Sequence, residues 1–209
     1  MRTNKIPNQI IKEPLQPLNL KKVDSIALHH MATDADVKAI ERMHINKGWR
    51  AIGYNFWVAF DGTVYEGRGF SLGAGVENQN GHIISIGFQG DYDSKKREMP
   101  DSQFNAGIEI INYVKSKVPS VKKVGGHRDF MATACPGRYF PLDEMKKGKR
   151  REKQTVKYYD TVNDCPEWSR ECVKKAIAKG LIHGDEKGRL RLTDDKIWTL
   201  VVVMRALGD

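Results

Sequence analysis

The chain has 209 residues, 40% of them hydrophobic, with 35 Lys and Arg against 26 Asp and Glu and a formal net charge of +9. That length accommodates one mid-sized domain with a full core plus a small second unit, and the composition excludes both a disordered chain and a disulfide scaffold. The basic excess is divided almost evenly between residues 1–147 and 148–209, and no base-reading motif accompanies it, so nucleic acid is not an expected partner; the diffuse charge suits an anionic polymer or simply a solvated surface.

The opening residues Met1-Arg-Thr-Asn-Lys-Ile-Pro carry no apolar run, and no later segment reaches membrane-spanning length. Synthesis in the cytoplasm without a signal peptide and no membrane insertion are therefore expected. Of three cysteines, Cys165 and Cys172 are expected on one helix, about 10 Å apart by helix rise and beyond disulfide reach, which implies reduced thiols.

In chain order, Ser25–His29 reads as a short buried strand whose end delivers His29 into the open. Thr33 to Asp36 then cap a helix running to about Lys47. Tyr54–Phe60, the Asp61-Gly62 turn and Thr63–Glu66 read as an antiparallel hairpin. A Gly-rich loop from Gly67 to Gly81 precedes a buried strand, His82–Phe88. Pro100 and Asp101 open a helix with Phe104, Ile108, Ile111 and Val118 at helical spacing, and Val121–Gly125 reads as a last strand running into Gly126-His127-Arg128-Asp129. This alternation predicts an α/β fold, a mixed central β-sheet flanked by helices. Residues 148–157 are expected to be a charged, exposed linker. Residues 158–209 are expected to form a small helical domain, with one helix from Pro166 to about Lys179 and another from Asp194 or Asp195 through Leu207.

His29, His127 and Cys135 are the candidate metal ligands. Imidazole and thiolate are donors that zinc favours, and three protein ligands leave a fourth position for water, as hydrolysis of an unactivated amide requires. Spacing alone leaves the alternative of a buried thiol and a surface histidine, because a His eight residues before a Cys is no short-range zinc signature.

An ordered set of blocks adds to this. Ile26-Ala-Leu-His29-His-Met-Ala-Thr33, Gly53-Tyr54-Asn-Phe, Asp61-Gly62-Thr-Val-Tyr-Glu-Gly67-Arg68, Ser85-Ile-Gly-Phe, Gly126-His127-Arg128-Asp129 and Thr133-Ala-Cys135-Pro136-Gly137 follow one another along the chain. In order they resemble the blocks of the phage-lysozyme-type amidases and peptidoglycan recognition proteins, over about residues 22 to 145. The resemblance implies a peptidoglycan recognition protein-like fold and a Zn2+ site at His29, His127 and Cys135. It also implies hydrolysis of the amide joining N-acetylmuramic acid to L-alanine in bacterial peptidoglycan. Non-catalytic members typically lose the cysteine, which this chain keeps. With no export signal in view, a phage or prophage endolysin acting after release through lysis or a pore is expected, with a host autolysin as the alternative.

The same resemblance makes Tyr54 a helper in proton transfer or oxyanion stabilisation. Thr133, where the phage-lysozyme branch has a lysine and many catalytic recognition proteins a threonine, becomes a second stabiliser. Trp49, Arg50 and Ile52 resemble a substrate-groove segment, with His30 a rim residue or a packing residue. Finally, Tyr159-Asp160-Thr-Val, Trp168 and Ala176-Ile-Ala-Lys-Gly180-Leu-Ile-His-Gly184 resemble a single S-layer homology repeat, although Leu192-Thr-Asp-Asp-Lys-Ile-Trp198 stands where the repeat usually shows Ile-Thr-Arg-Ala-Glu. This implies gripping of anionic cell-wall polysaccharide, with trimerisation, docking on the first domain or a plain helical cap as alternatives.

Overall fold

The computed structural model describes residues 1–152, 157–206 and 208. It divides into two compact units, Met1–Glu152 and Lys153–Asp209.

The first unit is built on a six-stranded sheet in the order β1-β4-β3-β5-β2-β6. The strands are β1 (Asn4–Lys5), β2 (Ser25–His30), β3 (Phe56–Val58), β4 (Val64–Glu66), β5 (Ile83–Phe88) and β6 (Lys123–Gly126). Only the β3–β4 hairpin is antiparallel; β5 and β6 flank β2 in parallel. All six residues of β5 are buried, as a parallel strand covered on both faces requires. The alternation of side chains assigns the faces. Ile26 and Leu28, Phe56 and Val58, and Ile84, Ile86 and Phe88 point into the main core, where α2 (Asp101–Lys117) contributes Phe104, Ile108, Ile111 and Val114. Each such side chain, fully buried, contributes about 1.5–3 kcal/mol. Gly107 sits inside α2 at some cost in helix propensity, because a Cβ there would lie 2.7 Å from the Phe88 ring.

Ala27, His29, Trp57, Ser85 and Gly87 have the opposite parity. Trp57 packs on this face with Ile6, Ile52 and the Val37 and Ile40 of α1 (Val37–Asn46), whose first turn is capped by the Asp36 carboxylate. The predicted elements are present with boundaries shifted by one to three residues. β1 is additional: two exposed residues that pair in parallel with Tyr65 and Glu66 at the sheet edge.

After α3 (Leu142–Lys146) the chain stays bound to the first unit as far as Arg151. Its backbone N–H donates to Asn105 Oδ1, its guanidinium donates to the Met99 carbonyl and lies 4.2 Å over the Phe104 ring. Of the segment expected as a linker, residues 153–156 lie outside the described residues.

The second unit closes a small core of Tyr159, Cys165, Val173, Ala176, Leu192, Ile197, Leu200 and Met204. A short 3-10 turn, Glu167–Ser169, leads into α4 (Arg170–Ala178), and α5 spans Asp194–Ala206; Leu207, its expected last residue, lies outside the described residues. Cys165 lies ahead of the Glu167–Ser169 turn, so the expectation that it shares a helix with Cys172 is corrected: Pro166, extended at ψ 138°, separates them. No helix among the described residues is long and apolar enough to cross a membrane.

Candidate metal centre

Three separate pieces of backbone converge on one side of the sheet. β2 supplies His29 on the face away from α2, in register with Gly87 of β5. β6 ends at Gly126 and hands His127 to a 3-10 turn, whose Asp129 carboxylate accepts the Gly126 N–H. Cys135 follows on a loop held at both ends: Arg128 N–H donates to the Cys135 carbonyl at 2.8 Å, and the Arg128 guanidinium donates to the Gly137 carbonyl at 3.1 Å.

The His29 and His127 rings are 4.4 Å apart between centroids, and Cys135 Sγ is 3.9 Å from His29 Nδ1. One donor atom from each of the three residues lies within 4.8 Å of the others. Nitrogen and sulfur sharing a tetrahedral zinc would be about 3.6 Å apart, so the trio fits that ion. It is Nδ1 of His29 that faces the sulfur; on the other side of that ring Nε2, and likewise Ser85 Oγ and His127 Nε2, are buried without a hydrogen-bond partner among the described residues. Buried groups of this kind cost about 1–3 kcal/mol each.

Burial, then the neighbouring His127 and His30, holds the His29 imidazole well below its ordinary pKa, and burial does the same to His127. Both rings are thus neutral, with lone pairs to offer, at neutral pH. Burial pushes the Cys135 thiol up to about 11. Only a cation in contact with the sulfur would hold it as thiolate at neutral pH.

His29 was expected in the open, but it is only 1% exposed. It lies at the bottom of a cavity of about 350 Å³ walled by His127, Cys135, Tyr54, His44 and Trp49. Small residues make that depth possible. A Cβ on Gly75 would meet Ser85 Oγ at 2.4 Å and His29 Nε2 at 3.3 Å, and one on Gly87 would meet the Tyr54 ring at 2.9 Å.

The Tyr54 ring lies 5.1 Å from that of His29. Burial, reinforced by Cys135, pushes its phenol upward, so the hydroxyl keeps its proton at neutral pH. Trp49 is on the cavity wall, its indole stacked on His44 at 4.5 Å and 15°. Gly53 permits this placement, since a Cβ there would strike the indole at 2.3 Å. His44 Nδ1 accepts the Gly53 N–H, and burial brings its pKa down to about 4. The sequence signal for a buried His44 is its position four after Ile40 on the buried face of α1.

Two other expected groove residues, Ile52 and Arg50, lie elsewhere. Ile52 is fully buried against Val37, Ile40 and Trp57, which corrects its assignment to the groove. Arg50 pairs with Glu13 at 2.9 Å and faces a separate pocket of about 250 Å³ beside Arg68 and Leu72. The His30 ring turns to the opposite face of β2 from His29, where Nδ1 accepts the Tyr92 N–H at 3.0 Å and the side chain is 8% exposed. His30 also lines the cavity, and its carbonyl lies 3.9 Å from Cys135 Sγ, so the residue both packs and borders the site. Thr133 is exposed, and its hydroxyl accepts the Cys135 N–H at 3.3 Å, bracing the ligand loop.

Residues 19–138 match the family described as N-acetylmuramoyl-L-alanine amidase. A peptidoglycan-recognition protein of Drosophila simulans is 32% identical over 151 residues, covering 66% of this chain and 80% of that protein. A second one from the same species, peptidoglycan-recognition protein SC2, is 36% identical over 105 residues, 48% of this chain, and the match spans only 56% of that relative's length. Among solved structures, the endolysin N-acetylmuramoyl-L-alanine amidase LysCS from Clostridium intestinale shares the fold with a TM-score of 0.63 at 24% identity, over 70% of this chain and 93% of that one. With the match running from just before β2 to just past Cys135, and so taking in the sheet and all three converging residues, the chain belongs to the N-acetylmuramoyl-L-alanine amidase family.

Proposed function

We propose that this chain hydrolyses the amide bond between N-acetylmuramic acid and L-alanine in bacterial peptidoglycan, with Zn2+ held by His29, His127 and Cys135. The observation that carries the reading is the set of three donor atoms within 4.8 Å at the bottom of an open cavity, the cysteine among them. When bound there, zinc supplies Lewis acidity toward a carbonyl and a source of hydroxide near neutral pH.

The chain's own residues do the rest. Tyr54 keeps its phenolic proton, and its hydroxyl has no hydrogen-bond partner among the described residues, so it is available to donate to the carbonyl oxygen as negative charge builds there. Neutral His44, its Nδ1 occupied as an acceptor, holds the Trp49 indole against the cavity wall. That indole offers an apolar face to sugar or stem peptide. Thr133 acts by bracing Cys135. For the second unit we propose retention on the wall through anionic polysaccharide, which raises effective concentration at an insoluble substrate. The setting we propose is that of a phage or prophage endolysin.

The test is end-group analysis of purified cell wall digested by the protein. New free amino termini on alanine are expected, lost with a zinc chelator and restored by added zinc. Wall that is bound but yields no new alanine termini would overturn hydrolysis in favour of binding alone.

A further inference from the structure

α5 carries apolar side chains on more of its circumference than its own unit covers. Ile197, Leu200, Val201 and Met204 are buried, whereas Trp198 is 58% and Val202 64% exposed. At about 100° per residue, Asp195, Trp198, Val202 and Arg205 fall in one stripe about 80° wide.

That stripe reads the same from either end: charged, apolar, apolar, charged, centred on Leu200, with the two charges opposite in sign. Two copies of α5 laid antiparallel about Leu200 bring Asp195 of each against Arg205 of the other. The same arrangement sets Trp198 against Val202 twice, over about 15 Å of helix. A two-fold contact must satisfy every pair reciprocally, and this one does. A parallel arrangement would instead face Asp195 with itself. Among the described residues neither the Asp195 carboxylate nor the Arg205 guanidinium has an ion-pair partner. Trp168, also exposed, lies 4.7 Å from Trp198 between ring centroids and widens the apolar patch.

We propose that α5 is a self-association surface, and that two copies of the chain join through it as an antiparallel, two-fold dimer. The inference is independent of the metal and of hydrolysis.

Sedimentation equilibrium of the full chain at micromolar concentrations tests it. The expected mass is twice the 23.7 kDa of one chain. Asp195→Arg and Arg205→Asp should each weaken the dimer about tenfold or more, by setting like charges face to face, and the double variant should regain most of the loss. Trp198→Glu should leave a monomer with an unchanged circular dichroism spectrum; should it fail to fold, the charge swaps at exposed positions still decide. The proposal is overturned by a wild-type mass of one chain or of three or more. It is equally overturned by single charge variants that associate like wild type, or by a double variant no better than the singles.

Discussion

The two units differ in where they leave groups unsatisfied. Among the described residues Met1–Glu152 holds four buried polar atoms without partners, Nε2 of His29 and of His127, Ser85 Oγ and Trp57 Nε1, against one in Lys153–Asp209, Asp160 Oδ1. Lys153–Asp209 in turn carries the most exposed of the large apolar side chains, Trp168, Trp198 and Val202. A large sheet with helices packed on it has enough buried area to tolerate a few costly polar atoms where they hold a ligand. A unit of two helices has a small core and gains most by covering its surface with something else. In each case the proposed functional surface includes groups that the packing of its own unit leaves unsatisfied.

The sharpest way to break the contrast is at the cavity. Tyr54→Phe keeps the ring that packs beside His29 and removes only the proton donor, so kcat should fall by about 10²-fold with KM and zinc content nearly unchanged. An unaltered kcat would return Tyr54 to a packing role. The same substitution made in the two environments tests the packing side. Val58→Ala, fully buried in β3, should cost about 2 kcal/mol in urea unfolding, while Val203→Ala, 43% exposed on α5, should change stability by about 0.5 kcal/mol or less. Equal costs would mean that α5 is covered within the monomer. Thr133→Ala removes a brace rather than a donor at the reacting atoms, and a loss of under about tenfold in kcat/KM is expected. A larger loss would place its hydroxyl in the chemistry.

Acid should act on the first unit through its buried imidazoles. His44 has a folded pKa of about 4 against an ordinary 6.5, so the unfolded chain takes up its proton first. Its contribution to stability is complete above pH 6.5 and is lost as pH falls toward 4. His44→Gln, which retains an acceptor for the Gly53 N–H, should show a smaller fall in urea midpoint across that window.

Much of the first unit was legible because its signals are local. β5 is an apolar run broken only by Ser85, α2 has its period, and the ligand blocks follow one another in order. Strand parity fixes the face of His29 but not its depth, which is set by Gly75 and Ser85 approaching from a distant loop and strand. For the same reason Ile52 could be taken as a groove residue when the hydrophobic cluster around Trp57 had enclosed it. β1 has no apolar pattern at all and exists because the edge of β4 offers it hydrogen bonds. In the second unit the helices were legible, but the exposure of Trp198 and Val202 follows only from knowing which side α4 covers.

The most direct test of the central claim is zinc content by elemental mass spectrometry, on the purified protein and on Cys135→Ser. One zinc per chain in the wild type, with most of it lost from the variant and hydrolysis falling in step, is the expected result. A wild-type protein that releases alanine termini at full rate with no zinc bound, or a Cys135→Ser variant that keeps both metal and activity, would contradict it.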